Sequence, residues 1–522
     1  MMMQYRYKAY FFLVVSIFTY ACITQGCGQS AHQFVKNSLH QNVPDESIAK
    51  GQALAKQYCQ SCHMFPSPSL LDAKTWENGV LPQMGPRLGI FEYQYRRYPN
   101  SVNDVHVGRG YYPLKPLVTP AEWQSIIDYY TSVSPDSLQQ PPALIPADGS
   151  SLFQALTPQA SYPNPATCLI RADPFTKTII TSDILKRECY RYSASLQLVD
   201  SFLQNSIITS MLFTKHTITA CNIGVFSPNN ARAGSVESIV RNDENHPRIL
   251  ADTLLRPASI AAADLNNDGK TDYITCGFGY IKGALSWWEN VDGDNYREHI
   301  IKGVPGAIKA YTGDYNHDGL QDIWVLFAQG DESISLFTNL GNGKFEEKKV
   351  LQFPPCYGSS SFSLEDFNKD GFPDILYTCG DNADYSTIFK PYHGVYIFIN
   401  DGHNNFKQQF FYHINGCYNA IAFDVDKDGK TDIAAIAYFA DYQKKPREGF
   451  VLLKNADAFG YKPYYLDETM AGRWITMDTV DVNGDGKTDI LLANCSVGPT
   501  INKSAYNWKK GPPFMLLKNT TK

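Results

Sequence analysis

Asp264-Leu265-Asn266-Asn267-Asp268-Gly269-Lys270-Thr271-Asp272 carries oxygen-bearing side chains at its first, third, fifth and ninth positions and glycine at its sixth. The pattern D-x-[ND]-x-D-G-x-x-D returns at residues 314–322 (DYNHDGLQD), 366–374 (DFNKDGFPD), 424–432 (DVDKDGKTD) and 481–489 (DVNGDGKTD). The starts lie 50, 52, 58 and 57 residues apart. Apolar runs precede and follow each copy, among them Ile323-Trp324-Val325 and Ile490-Leu491-Leu492. Each repeat then closes on a strand-like run ending in Asn290, Asn339, Asn400, Asn455 or Asn519. Strand, loop, strand, turn and strand at a period of about 50 residues describe one propeller blade.

The loop chemistry is that of a hard cation. Oxygen donors at positions one, three, five and nine, with the backbone carbonyl of position seven, can surround Ca²⁺, and glycine at six permits the sharp turn. The implied ligands are Asp264, Asn266, Asp268 and Asp272 with the Lys270 carbonyl, and Asp314, Asn316, Asp318 and Asp322 with the Leu320 carbonyl. They continue with Asp366, Asn368, Asp370 and Asp374 with Phe372, then Asp424, Asp426, Asp428 and Asp432 with Lys430. The last set is Asp481, Asn483, Asp485 and Asp489 with Lys487, so up to five calcium ions are expected. The glutamate of an EF-hand at position twelve is absent. The pattern resembles the FG-GAP and VCBS repeats of integrin-like β-propellers.

Two further blades are expected upstream. Residues 206–221 parallel residues 259–276 with the loop shortened, and residues 168–181 do the same one period earlier. Residues 151–522 then form an all-β propeller of seven blades, with six or eight as alternatives.

A second motif lies near the N-terminus. Cys59-Gln60-Ser61-Cys62-His63 is the C-x-x-C-H attachment signature of a c-type haem. Two thiols so spaced can form thioethers to one haem, and the adjacent histidine becomes the proximal iron ligand. Asp45-Glu46 after Pro44 reads as a helix start, with Ile48, Leu54, Ala55 and Tyr58 at near-helical spacing and Gly51 where another helix can cross. Thr119-Pro120-Ala121-Glu122-Trp123 opens a second helix with an N-cap, a proline at its first position and an acid in its first turn. These features resemble class I cytochromes c, which implies one covalent haem c on Cys59 and Cys62 with His63 proximal. The stretch from Trp76 to Met84 resembles the distal-ligand segment of short bacterial cytochromes c and points to Met84, with His106 as the rival. Residues 44–134 are thus expected to form a small all-α cytochrome c domain, followed by a Pro-rich linker at 135–150.

Arg6 and Lys8 precede an apolar run from residue 9 to 21, too short to span a bilayer comfortably. With cysteines close behind, residues 1–26 read as a lipoprotein-type signal with Cys27 as the lipidated residue, Cys22 being the alternative. Residues 27–43 are expected to form a tether. The chain would be exported to the periplasm, outer membrane or cell surface, held to the membrane by lipid alone. Eight of the 12 cysteines lie beyond residue 150, most of them inside apolar runs where cysteine acts as a small buried residue. The formal charge of −6 resides in the aspartate-rich loops, and five divalent cations would reverse its sign. No concentrated basic patch suits nucleic acid.

The whole order resembles a family of bacterial lipoproteins with a cytochrome c domain followed by FG-GAP/VCBS repeats, which implies haem, calcium and an envelope location without a substrate. From first aspartate to closing asparagine the repeats run 26, 25, 34, 31 and 38 residues. The extra length falls in one connection, on the face opposite the calcium loops. It carries Asp384, Tyr392 and His393, then Lys445, then Trp508, and is the expected working surface. Three functions compete. One is an electron-transfer protein whose propeller docks a redox partner, and another is an oxidoreductase with haem as acceptor. The third is a glycan-binding or adhesion protein. No dinucleotide fingerprint or catalytic triad pattern stands out, and a covalent redox centre favours electron transfer.

Overall fold

The computed structural model describes residues 34–522 apart from 143, 160, 161, 242 and 384. The signal segment, Cys22, Cys27 and Asp384 therefore lie outside the described residues.

Seven antiparallel sheets make seven blades. Blades 1 to 6 span residues 167–203, 208–254, 257–302, 307–352, 359–413 and 417–465. Blade 7 takes three strands from residues 474–519 and its outermost strand, Phe153–Leu156, from the other end of the propeller, paired antiparallel through Ala155 and Leu517. This pairing closes the ring and removes two open edges. Each blade has four strands where the repeat pattern displayed three. The fourth is polar and exposed, as in Phe345–Gln352, so no apolar run betrays it. The second strands do the opposite. Asp322–Phe327, Asp374–Cys379 and Asp432–Ala437 are buried at every position, as strands covered on both faces must be.

The core lies between blades. Leu265, Ile274, Leu285 and Trp287 of blade 3 pack on Ile323, Val325 and Phe327 of blade 4, and each such residue contributes about 1.5–3 kcal/mol by burial. Around the axis, polar groups of the innermost strands staple neighbours together. Thr209 donates to the Pro257 carbonyl, Ser259 to Ile308, and Ser360 to Cys417, at 3.3, 2.7 and 3.1 Å. The eight propeller cysteines are all free thiols, six of them buried.

Residues 34–135 form a mainly helical unit. One helix, Asp45–Tyr58, starts with Asp45 and Glu46 in its first turn, where the helix dipole favours acids. The other, Pro120–Val133, starts with a complete capping box between Thr119 and Glu122. They cross at Gly51, where a Cβ would lie 1.8 Å from the Ser125 carbonyl oxygen. Three expectations need correction here. The unit is not all-α, because Gln94 and Tyr95 both adopt positive φ and turn a two-residue hairpin between Glu92–Tyr93 and Arg96–Arg97. Nor is it separate, since Ile388 of blade 5 and Cys356 of the connection between blades 4 and 5 pack into its apolar core. The tether and linker are also partly fastened. Asn37 is buried and donates to the Thr131 and Ser134 carbonyls, and Ala147–Asp148 pairs in parallel with blade 6. Among the described residues no helix is long and apolar enough to cross a membrane.

Candidate haem and metal sites

The five nonapeptides adopt one conformation. The fourth residue sits at positive φ (Asn267, His317, Lys369, Lys427, Gly484), followed two residues later by a glycine at φ 78–88°. The first aspartate accepts from the backbone N–H groups of positions five and six, as Asp264 does from Asp268 and Gly269 at 3.1 and 2.8 Å. The fifth accepts from the N–H of position seven, at 2.9 Å for Asp268 and Lys270. The loop is thereby wound around its own carboxylates. In blade 6, carboxylate oxygens of Asp424, Asp426 and Asp432 lie within 4.8 Å of one another, a hard-oxygen set that fits a divalent cation. Asn266, Asn316, Asn368 and Asn483 replace the aspartate at position three in the other loops.

The ninth aspartate has a second role that spacing did not reveal. Asp272, Asp322, Asp374, Asp432 and Asp489 are all essentially buried. Each accepts from the N–H of position two and from the N–H of the closing asparagine, at 3.1 and 2.7 Å for Asp272. Burial pushes these carboxyls upward, Asp432 to about 6, against the two backbone bonds that hold them down. The closing asparagines extend the staple. Asn339 donates to the Gln321 carbonyl and, across the blade boundary, to Leu265 at 2.9 Å. Asn519 does the same toward Val425 at 2.7 Å.

The pentapeptide follows directly on the helix ending at Tyr58. Cys59 is half-buried and burial pushes its thiol up to about 11, while Cys62 is exposed. The His63 Nδ1 lies 2.9 Å from the Met64 carbonyl oxygen. A proton committed to that bond leaves Nε2 as the free ring nitrogen, the arrangement in which a metal-ligating histidine is oriented. Burial holds the His63 pKa below its usual value, the Met64 bond opposes this, and the nearby Arg87 guanidinium adds to it. Met84, three residues before Arg87, is half-buried at the end of the turn Leu81–Met84. His106 is exposed on an irregular loop, where its backbone N–H is held by Asp104.

The helical unit rests on the propeller face opposite the nonapeptides. All its recorded partners there lie in connections between second and third strands or between blades. Tyr392 donates to the Leu70 carbonyl at 3.1 Å and Asn230 donates to Asp104 at 2.8 Å, while Gln140 of the linker that follows donates to the Phe389 carbonyl at 3.0 Å. The insertions expected to be a working surface are covered in part, while Tyr506, Lys509 and Lys510 of the blade 7 insertion stay exposed. His393 is fully buried, Lys390 is buried against Asn382, and Trp508 packs edge-on to Tyr442 with ring centroids 4.5 Å apart. Asp441 and Asn502 join the blade 6 and blade 7 insertions at 2.5 Å. Arg473, buried at the start of blade 7, gathers the carbonyls of Tyr438, Val497, Gly498 and Pro499. Nothing in the local sequence marks that arginine as an internal clamp.

The FG-GAP-like repeat family matches this chain at residues 264–325 and 314–377, so FG-GAP repeats are present in blades 3 to 5. A T-cell immunomodulatory protein homolog of Plasmodium falciparum is 26% identical over 263 residues, which cover 44% of this chain and 36% of that protein. The matched stretch thus spans about a third of that relative's length. Among solved structures, the N-terminal domain of Nup159 is 12% identical with a TM-score of 0.42, covering 73% of this chain and 99% of that one. An S. cerevisiae assembly of Dbp5 bound to Nup159 and Gle1 is 11% identical with a TM-score of 0.40, at 73% and 98% coverage.

Proposed function

We propose that this chain is an exported, lipid-anchored electron-transfer protein carrying one covalent haem c beside a calcium-binding propeller that docks a redox partner or ligand. The observation that carries the reading is the pentapeptide from Cys59 to His63 at a helix end, with His63 Nδ1 committed to the Met64 carbonyl. A haem held there supplies one-electron chemistry at its iron. Cys59 and Cys62 provide its two covalent links, His63 the proximal nitrogen and Met84 the distal sulfur. The cysteine pair is reduced and unpaired in the fold, as thioether formation requires. Docking by the propeller is in keeping with its FG-GAP repeats. The lipid anchor at Cys27 and the export route rest on the sequence.

Pyridine haemochrome spectra of the exported protein are expected to give one c-type haem per chain. Met84→Ala is expected to keep covalent haem and lose the weak methionine-to-iron band at the red end of the spectrum. A haem-free protein sinks the reading, and a bis-histidine spectrum removes Met84 in favour of His106.

One observation favours a second reading, an oxidoreductase with haem as electron acceptor. The helical unit sits on the same face as the long insertions, where a substrate on the propeller would be near it. Reduction of the haem by a small-molecule donor with no partner protein present distinguishes the two.

A further inference from the structure

A cavity of about 800 Å³ lies between the helical unit and blades 2 to 4, on the face away from the nonapeptides. We propose that it binds a small organic dianion, a molecule that carries two negative charges, as carboxylates or as a phosphate, on a partly apolar frame. Cys62 alone of the pentapeptide reaches the wall, so the proposal stands apart from the haem reading.

A cavity of this size suits a whole small molecule rather than a single ion. Leu254, Ile281, Ile300 and Val304 give it apolar surface. Charge decides the ligand class. The wall holds five cationic side chains and three carboxylates, an excess of two positive charges.

All three carboxylates are committed. Asp331 pairs with Lys302 at 2.8 Å and with Lys349. Burial raises its carboxyl, but the bonds from the two lysines outweigh burial and hold the pKa below the usual value, so Asp331 is ionised. Glu347 pairs with Lys302 at 2.6 Å and accepts from the Ser335 hydroxyl at 2.8 Å. Glu298 accepts from the Ser286 hydroxyl at 2.8 Å and faces Arg232 at 3.8 Å. Three cations thus answer three acids, and the excess is Arg87 from the helical unit and Lys282 from blade 3. Arg87 donates to the Tyr111 hydroxyl, a neutral group, and makes no ion pair among the described residues. Lys282 has no carboxylate within ion-pair reach among the described residues. Asp104 lies near it but accepts from Asn230 and from the His106 N–H, at 2.8 and 2.9 Å. A Cβ on Gly108 would lie 3.4 Å from the Lys282 Nζ, so this side chain reaches across to the helical unit. A neutral ligand leaves both cations unanswered and a monoanion leaves one. A dianion can meet both.

The test uses the full-length protein, with adipate and glycerol phosphate as probes and dimethyl adipate as the uncharged control. Binding is read from methyl resonances. Adipate, glycerol phosphate or both are expected to shift Ile281, Ile300 and Val304 and to leave Leu320, in the far-face loop of blade 4, unmoved. The tighter of the two identifies the acidic group the site prefers. Arg87 and Lys282 are both exposed, so replacing either leaves the packing in place. Lys282→Met and Arg87→Met are each expected to weaken binding about tenfold, the loss of one charge-assisted hydrogen bond. Lys407→Met, exposed on the outer strand of blade 5, removes the same charge away from the cavity and should bind as the parent does. The proposal is overturned if neither dianion moves the three methyls, if dimethyl adipate moves them equally well, or if Lys282→Met and Arg87→Met both keep the parent's affinity.

Discussion

His393 is fully buried, its ring edge-on to Tyr392, and neither ring nitrogen makes a well-formed hydrogen bond. Burial, and then the nearby Lys390, drives its pKa well below the usual histidine value. His413 beside it is lowered to about 4, by burial first and by Lys445 second. Both imidazoles are therefore neutral in the fold and take up protons on unfolding below pH 6.5. A depressed folded pKa gives stability that is complete above 6.5 and is lost as pH falls toward the folded value. For His413 the window is pH 6.5 to 4, with an upper bound of about 3 kcal/mol. Urea unfolding should show this acid limb, and His413→Gln and His393→Gln should each flatten it. An unaltered slope in both variants means that these rings are already protonated in the native state. Sequence context placed His393 on a working surface because its neighbours are polar and aromatic. In the fold, Tyr392 stacks on Tyr357 from the connection that enters blade 5, a contact between residues 35 apart that the local sequence does not mark.

The nonapeptide loop and its closing asparagine act as one element. Their shared loop conformation was legible because one strict local spacing of Asp, Asn and Gly is repeated in five copies. The staple role of the ninth aspartate was not, because its donors come from a strand 17 to 30 residues further on, for example Asn339 for Asp322 and Asn519 for Asp489. The fourth strands were illegible for a simpler reason, since one exposed face and no apolar run leave no periodic signal. The asparagines provide a graded test. The Asn339 side chain bonds two carbonyls, one in the neighbouring blade, whereas the Asn455 Oδ1 has no partner. Asn339→Ala should cost about 1–3 kcal/mol by leaving buried carbonyls unpaired. Asn455→Ala should stay within about 0.5 kcal/mol. Equal losses in chemical denaturation would refute the inter-blade staple. Chelation has a matching expectation. With three or four aspartates converging in each loop, stripping the metal restores repulsion at five blades and should lower the propeller's melting temperature. An unchanged melting curve, together with metal analysis that finds no calcium, removes the ion from these loops.

At the scale of the molecule, one face of the ring carries the nonapeptide loops and the other carries the helical unit. The blade number followed from the repeat period, and the two loop-poor blades from their parallels to blade 3. The docking of the helical unit did not follow, because polar insertions read alike whether they meet solvent or another part of the chain. In the fold, the blade 5 insertion is the unit's seat. Tyr392 bonds Leu70, Ile388 enters the helical core, and the Tyr385 carbonyl oxygen lies 2.2 Å from where a Cβ on Gly79 would be. No backbone atom can be displaced by that amount without moving the whole contact, so Gly79 is the point at which the two parts can be pried apart. Gly79→Val should therefore loosen the seat. Amide exchange in residues 381–393 and 354–358 is expected to rise by an order of magnitude or more, that is, by about 1.4 kcal/mol of lost local stability. The nonapeptide loops on the far face should keep their protection. Glu77→Val, exposed on the same helical turn, is the control for the residue type and should leave residues 381–393 as they are. If both variants exchange like the parent, the helical unit is held elsewhere and the blade 5 insertion is not its seat.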